Sequence, residues 1–240
     1  MDALVSKHYN HKYFSSQQKI GIWGGWANLT KFKDYIRPDY KIVDFGCGGG
    51  YLLANITCKD KIGIEIFLGF EARDLKELET LRQKRRQFDI LLAHGGDLKM
   101  NRIAVETPEV DILTHPEMDR QDSGLNHVLV KLAAKNNVAI EINFREILIS
   151  SKKTRSKVLE NMQKNIKLCK KLKAPIILCS GAISHWELRD PKTLVSFVSQ
   201  LGLELKEAEN CLSKIPENIS KQSKERRSEK WIMPGVKVIR

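Results

Sequence analysis

Three apolar runs in this 240-residue chain end on side chains that can do chemistry. Ile90-Leu91-Leu92-Ala93 leads into His94, Ile112-Leu113-Thr114 into His115, and Val138-Ala139-Ile140 into Glu141-Ile142-Asn143. A fourth, Pro175-Ile176-Ile177-Leu178, leads into Cys179 and Ser180. Imidazoles and carboxylates ligate divalent cations, and a cation so held assists phosphoester hydrolysis. His94, His115 and Glu141, with His127 as a further imidazole, are the candidates for that chemistry. Their spacing opposes it, because no close cluster supplies three or four ligands at the usual intervals. The expectation is therefore that no metal is bound and that these groups hydrogen-bond neighbouring loops to hold the strand ends in shape.

Polar groups delivered repeatedly to strand ends imply a parallel α/β sheet or barrel that collects them on its C-terminal rim. Between the runs, 74–87 carries Leu75, Leu78 and Leu81 on one face with acids early and bases late, which predicts a helix. The segment 124–136 repeats Leu125, Val128, Leu129 and Leu132 at helical spacing, with Asp122 or Ser123 placed to cap it. Residues 152–173 bury a stripe of Val158, Leu159, Met162, Ile166, Cys169 and Leu172. Helices also follow over 191–200 and 205–212, and the polar run 220–230 reads as a mobile connection to a closing strand at 235–239. Upstream, 41–45 and 61–66 are short strands separated by Gly46-Cys47-Gly48-Gly49-Gly50 and room for only a brief helix, a compressed βαβ unit.

Forty-one Lys and Arg against 29 Asp and Glu give a formal charge of +12, which favours a polyanionic partner. The excess is densest over 151–173, where nine basic residues face the single acid Glu160. Five cysteines, none in a CxxC pair, suggest neither a disulfide framework nor a zinc ribbon and fit a reducing compartment. No apolar run reaches the ~20 residues of a membrane span, so a cytoplasmic location with no membrane partner is expected.

Candidate contacts with a polyanion follow from these patterns. Lys153, Lys157, Lys164, Lys167 and Lys171 form a ridge along the 152–173 helix, suited to phosphates. Arg120, Asp122, Ser123, Asn126, His127 and Lys131 surround a helix start, which suits a phosphate or a partner's carboxylate. The bland alternative is capping by Asp122 and Ser123 with Arg120 paired to an acid. His185, Trp186 and Arg189 leave a strand through a small-residue turn, where an exposed Trp could stack on an unpaired base or anchor a protein; burial of that Trp is the competing reading. Lys99, Arg102 and Arg145 extend the same positive rim, or simply face solvent.

Three long blocks carry a resemblance: HGGDLKMNRIAVE (94–106), DILTHPEMDRQDSGLNHVLVKLAAKNNVAIEINFR (111–145) and LCSGAISHWELRDP (178–191). With them, about two thirds of the chain closely resembles the protein component three family of archaeal ribonuclease P, counterpart of the eukaryotic thirty-kilodalton subunit. The resemblance implies a TIM-barrel-like α/β fold related to the polymerase and histidinol phosphatase (PHP) superfamily. It also implies binding to the catalytic ribonuclease P RNA and to a second small protein subunit, in a holoenzyme that removes the 5′ leader from precursor tRNA. Cleavage would belong to the RNA and its Mg²⁺, so no catalytic residue is expected here. The paired HxH motif of PHP hydrolases is missing, which weighs against the alternative of a PHP-type metal phosphoesterase.

Residues 1–66 differ. Val43 to Gly50 followed by Gly63-Ile64-Glu65-Ile66 resembles the opening of an S-adenosylmethionine-dependent methyltransferase, in which Asp44, Gly46, Gly48 and Glu65 would face the cofactor. The strands a methyltransferase needs next do not follow. The expectation is a fusion or chimera, with a methyltransferase-like segment at 1–66, cofactor binding vestigial, and a barrel domain at 67–240 that those first strands complete or leave open.

Overall fold

Four unbroken apolar runs of strand length form strands whose successive side chains point to opposite sheet faces. The computed structural model describes residues 34, 38–39, 41–45, 60–64, 67–228, 231–233 and 236–237. The chain divides into two units, Met1–Phe67 and Leu68–Arg240. In the first, β1 (Lys41–Phe45) and β2 (Asp60–Ile64) pair in parallel, Lys41 opposite Asp60 and Phe45 opposite Ile64, as a sheet of two strands.

The second unit holds a five-stranded parallel sheet whose strands lie side by side in chain order: β3 (Gly69–Ala72), β4 (Ile90–His94), β5 (Ile112–Thr114), β6 (Ala139–Asn143) and β7 (Ile176–Cys179). A parallel neighbour can be reached only by a crossover, and helices supply each one. These are α1 (Leu75–Gln83), α2 (Leu98–Glu106), α3 (His127–Asn136), then α4 (Arg145–Ile149) with the long α5 (Lys152–Leu172). Sequential parallel strands with interposed helices are the order of a TIM-barrel-like fold, as expected. Asp74, Asp97 and Asn126 cap α1, α2 and α3 by accepting hydrogen bonds from first-turn N–H groups. The cap of α3 corrects the expectation: the helix begins at His127, because Gly124 adopts a left-handed φ of 69° and cannot enter it.

One sheet face carries Leu91, Ala93, Leu113, Ile140, Ile142, Ile176 and Leu178 into the main core, against Met100, Ala104, Val130, Ala133, Met162, Ile166 and Cys169 of the crossover helices. Each large side chain fully buried there contributes roughly 1.5–3 kcal/mol. The other face splits along its length. Its N-terminal half is apolar, with Ile90, Leu92, Ile112, Ala139 and Ile177 packed against Ile215 and Ile219.

Those two isoleucines belong to α8 (Lys214–Arg227), which follows α6 (Pro191–Gln200) and α7 (Leu205–Leu212). The run 220–230, expected to be mobile, is therefore mostly ordered helix. Few apolar residues are needed because polar contacts hold it: the Ser223 hydroxyl donates to Asp89 O at 2.6 Å, Arg226 pairs with Asp111 at 3.1 Å and Arg227 with Asp89 at 2.8 Å. Asp111 also receives Arg85, in an ion pair sealed from solvent. The closing strand departs from expectation as well, since β9 (Val236–Lys237) forms a hairpin with β8 (Trp231–Met233) instead of joining the parallel sheet. Among the described residues no helix is long and apolar enough to cross a membrane.

Candidate functional site

The two-residue strand period places His94, Thr114, Glu141 and Cys179 on the same sheet face as the apolar half just described, two residues further along each strand, with Asn143 two beyond Glu141 and Glu71 beside Leu92. Past the isoleucines of α8, that face becomes polar. His94 Nδ1 lies 3.1 Å from Glu71 Oε1, and the Thr114 hydroxyl donates to the same oxygen at 2.9 Å. The His94 and His115 rings meet edge to face, with centroids 4.5 Å apart. His115 Nε2 is 4.0 Å from Glu71 Oε1, while its Nδ1 is buried with no hydrogen-bond partner among the described residues. Glu141 accepts the His115 backbone N–H at 3.1 Å and the Cys179 thiol at 2.7 Å. Burial and the neighbouring carboxylate push that thiol upward from its ordinary pKa, so Cys179 is no ready nucleophile.

Tight glycine packing presents this rim. A Cβ on Gly95 would stand 2.1 Å from Thr114 O, so only glycine lets the turn after β4 pass beside the end of β5. A Cβ on Gly124 would meet Pro116 O at 1.9 Å. Between these contacts the loop 115–126 is held by buried amides. Asn101 Nδ2 donates to Pro116 O and Gly124 O at 3.1 and 3.0 Å, Asn161 Nδ2 to Asp122 O at 2.8 Å, and Asn165 Nδ2 to Ser123 O at 2.9 Å. Glu117 lies beneath, 2% exposed, and burial pushes its carboxyl up to about 8. His115 itself has a positive φ of 24°, a strained backbone that the Glu141 contact supports.

Several candidates read from the sequence are occupied by internal partners. Arg120 grips Asp122 at 2.6 and 2.9 Å and donates to Gly96 O at 2.9 Å, and this pairing holds the Asp122 carboxyl down at about 2. Asp122 also accepts the Gly124 N–H, so it braces the turn and does not cap the helix. Arg145 pairs with Glu187 at 2.9 Å, and Arg189 donates to the Trp186 and Leu188 carbonyls and lies 5.7 Å over the Phe144 ring. Asn126 spends its side-chain oxygen on the N–H groups of Val128 and Leu129, and Arg102 pairs with Glu106.

The α5 ridge is only partly neutralised. Lys157 and Lys164 share Glu160, but Lys153, Lys167 and Lys171 are exposed and, among the described residues, enter no ion pair; the same holds for Lys99 and Lys131. His127 is exposed at the start of α3. Trp186 is not buried: it is 80% exposed, beside Ile183 at 79% and Leu188 at 60%, on the loop containing the His185–Glu187 turn. Asp44 lies in β1, whereas Gly46, Gly48 and Glu65 fall outside the described residues.

Glu71 as a partner of the two histidines, Thr114 as a partner of Glu71, and Asn143 and Cys179 as partners of Glu141 escaped sequence reasoning. The available signal was parity: counting back by twos from each strand's end puts them on one face, although β3 is too short and polar to be recognised as a strand from its pattern.

The family model for RNase P subunit p30 matches residues 63–228. Ribonuclease P protein component 3 of Methanosarcina mazei is 40% identical over 180 residues, covering 74% of this chain and 74% of that protein. The Methanococcus maripaludis protein of the same name, from strain C6, is 39% identical over 180 residues with the same coverage. Among solved structures, a chain in the cryo-EM structure of archaeal ribonuclease P with mature tRNA superposes with a TM-score of 0.63 at 26% identity, covering 89% of this chain and 94% of that one.

Proposed function

The chain belongs to the RNase P subunit p30 family, and from that premise we propose that it is a protein subunit of ribonuclease P that binds the catalytic RNA and supports removal of the 5′ leader from precursor tRNA. The family match carries this reading; the surface supplies its mechanism. RNA folding brings phosphates together, and cations projecting from a rigid scaffold lower their repulsion and release counterions. Lys153, Lys167 and Lys171 on α5 are the side chains best placed for this, because they are exposed and not committed to acids within the described residues. Lys157 and Lys164 contribute less, since Glu160 already holds them. Arg120, Arg145 and Arg189 act indirectly, by fixing the rim loops.

Bond breaking is assigned to the RNA and its Mg²⁺, with this chain as accessory. Ile183, Trp186 and Leu188, apolar and exposed together, suit the second small protein subunit better than RNA, because protein interfaces centre on aromatic anchors with aliphatic neighbours. Reconstitution tests the proposal. Adding the purified chain and its protein partner to the RNA should stimulate cleavage of precursor tRNA at moderate Mg²⁺. Replacing Lys153, Lys167 and Lys171 together by Gln should flatten the dependence of log affinity on log salt by roughly 2 to 3 units, at about 0.7–0.9 for each phosphate no longer neutralised. No stimulation by the wild-type chain, or an unchanged salt slope in the triple variant, would overturn the respective halves of the reading.

A further inference from the structure

Glu71, His94 and His115 each offer one ligand atom, and those three atoms all lie within 4.8 Å of one another on the polar rim. We propose that they bind one divalent transition-metal ion, an activity that goes beyond RNA binding and does not depend on it.

Distances come first. Ligand atoms about 2.0–2.1 Å from a tetrahedral zinc ion stand roughly 3.3–3.4 Å from each other. His94 Nδ1 and His115 Nε2 are 3.1 and 4.0 Å from Glu71 Oε1, so side-chain adjustments of well under an ångström suffice. The three residues come from three adjacent strand ends, which a packed parallel sheet holds in fixed relation. Gly95 makes the approach possible, since any side chain there would strike Thr114 O.

The surroundings are those of a metal site. Ligands are usually oriented by an outer ring of hydrogen bonds. Thr114 donates to Glu71, and the Glu141 carboxylate holds the His115 N–H in its strained conformation. His115 is 8% exposed, and its Nε2 is the ring nitrogen turned toward Glu71 Oε1, 4.0 Å away.

Two imidazoles with one carboxylate select the class of ion. Mg²⁺ and Ca²⁺ favour all-oxygen shells, whereas Zn²⁺, Co²⁺, Fe²⁺ and Mn²⁺ accept this mixed set. Three protein ligands also leave a coordination position for water or an oxyanion. His94 also lines an open hollow together with Gly96, Asp97, Met118 and Arg120.

The test uses the full chain, stripped of metal with a chelator that is then removed. Calorimetry with Zn²⁺ should give one equivalent per chain, and Co²⁺ loading should produce visible absorption of a four- or five-coordinate ion. His94→Ala and Glu71→Gln should each weaken binding by about 100-fold or more, Thr114→Val by about tenfold, and His127→Ala not at all. Circular dichroism and the urea midpoint of each variant identify any that fail to fold; Glu71→Gln, which keeps the side chain's shape, then decides. Stoichiometry and affinity unchanged in folded Glu71→Gln, or absence of the Co²⁺ absorption, would overturn the proposal. Loss of RNA binding with metal binding intact would overturn the function proposed above and leave this site standing.

Discussion

Glu117→Gln should make the protein more stable at alkaline pH and leave it nearly unchanged in acid. Glu117 is 2% exposed, Asn165 Nδ2 donates to its Oε2 at 3.2 Å, and its Oε1 is buried without a hydrogen-bond partner among the described residues. Burial is the main cause raising its carboxyl from 4.5 to about 8; Glu141 and Glu146 add repulsion, while its own backbone and the Asn165 contact offset part of the shift. A raised folded-state pKa means that the folded form binds the proton more tightly than the unfolded chain. Its contribution is fully present below about pH 4.5 and is lost as pH rises through about 8. The full span corresponds to roughly 5 kcal/mol, of which about 3 kcal/mol is gone by pH 7. A neutral amide has no such titration. Its second donor, if left unpaired, costs about 1 kcal/mol at every pH.

Urea unfolding of both proteins between about pH 5 and 8.5 isolates the effect of Glu117 and its coupling to Glu141 and Glu146, because titrating groups that do not interact with it cancel in the difference. The variant should be equal or slightly weaker at about pH 5 and more stable by about 3–4 kcal/mol at about pH 8.5. Parallel stability curves, or a variant weakened equally across the range, would refute the argument that a neutral carboxyl sits under the loop carrying His115.

Two further outcomes rest on backbone packing and buried charge. Gly124→Ala combines a left-handed φ of 69° with a Cβ placed 1.9 Å from Pro116 O, so it should cost about 3 kcal/mol or more, read as a lowered urea midpoint with an unchanged m-value. Asp111→Asn leaves Arg85 buried without its carboxylate and frees Arg226, and should destabilise by about 3–5 kcal/mol while speeding amide exchange in α8 first. A loss under about 1 kcal/mol would show that water reaches Arg85.

Much of the architecture was legible because local chemistry fixes it. Apolar runs of strand length separated by helical periodicity admit few solutions, and the 152–173 reading differs from α5 by one residue. Failures came where order depends on distant partners. The run 220–230 has too few apolar residues to announce a helix; Asp89 and Asp111, more than a hundred positions away, hold it. Arg145 reads as a ligand-binding cation because its partner Glu187 lies 42 positions away, whereas the pairing of Arg120 with an acid is already one of the two readings its neighbours allow.

The sequence by itself determined the alternation of strands and helices, the basic exterior and the family, since each is written in composition, period or ordered motif. Which polar residues meet was decided only by tertiary structure. Glu71, His94 and His115 are separated by 23 and 21 positions, and only sheet register brings their ligand atoms together. The same folding decides which cations remain available: a lysine's charge is set by its type, but whether an acid cancels it depends on what packs alongside.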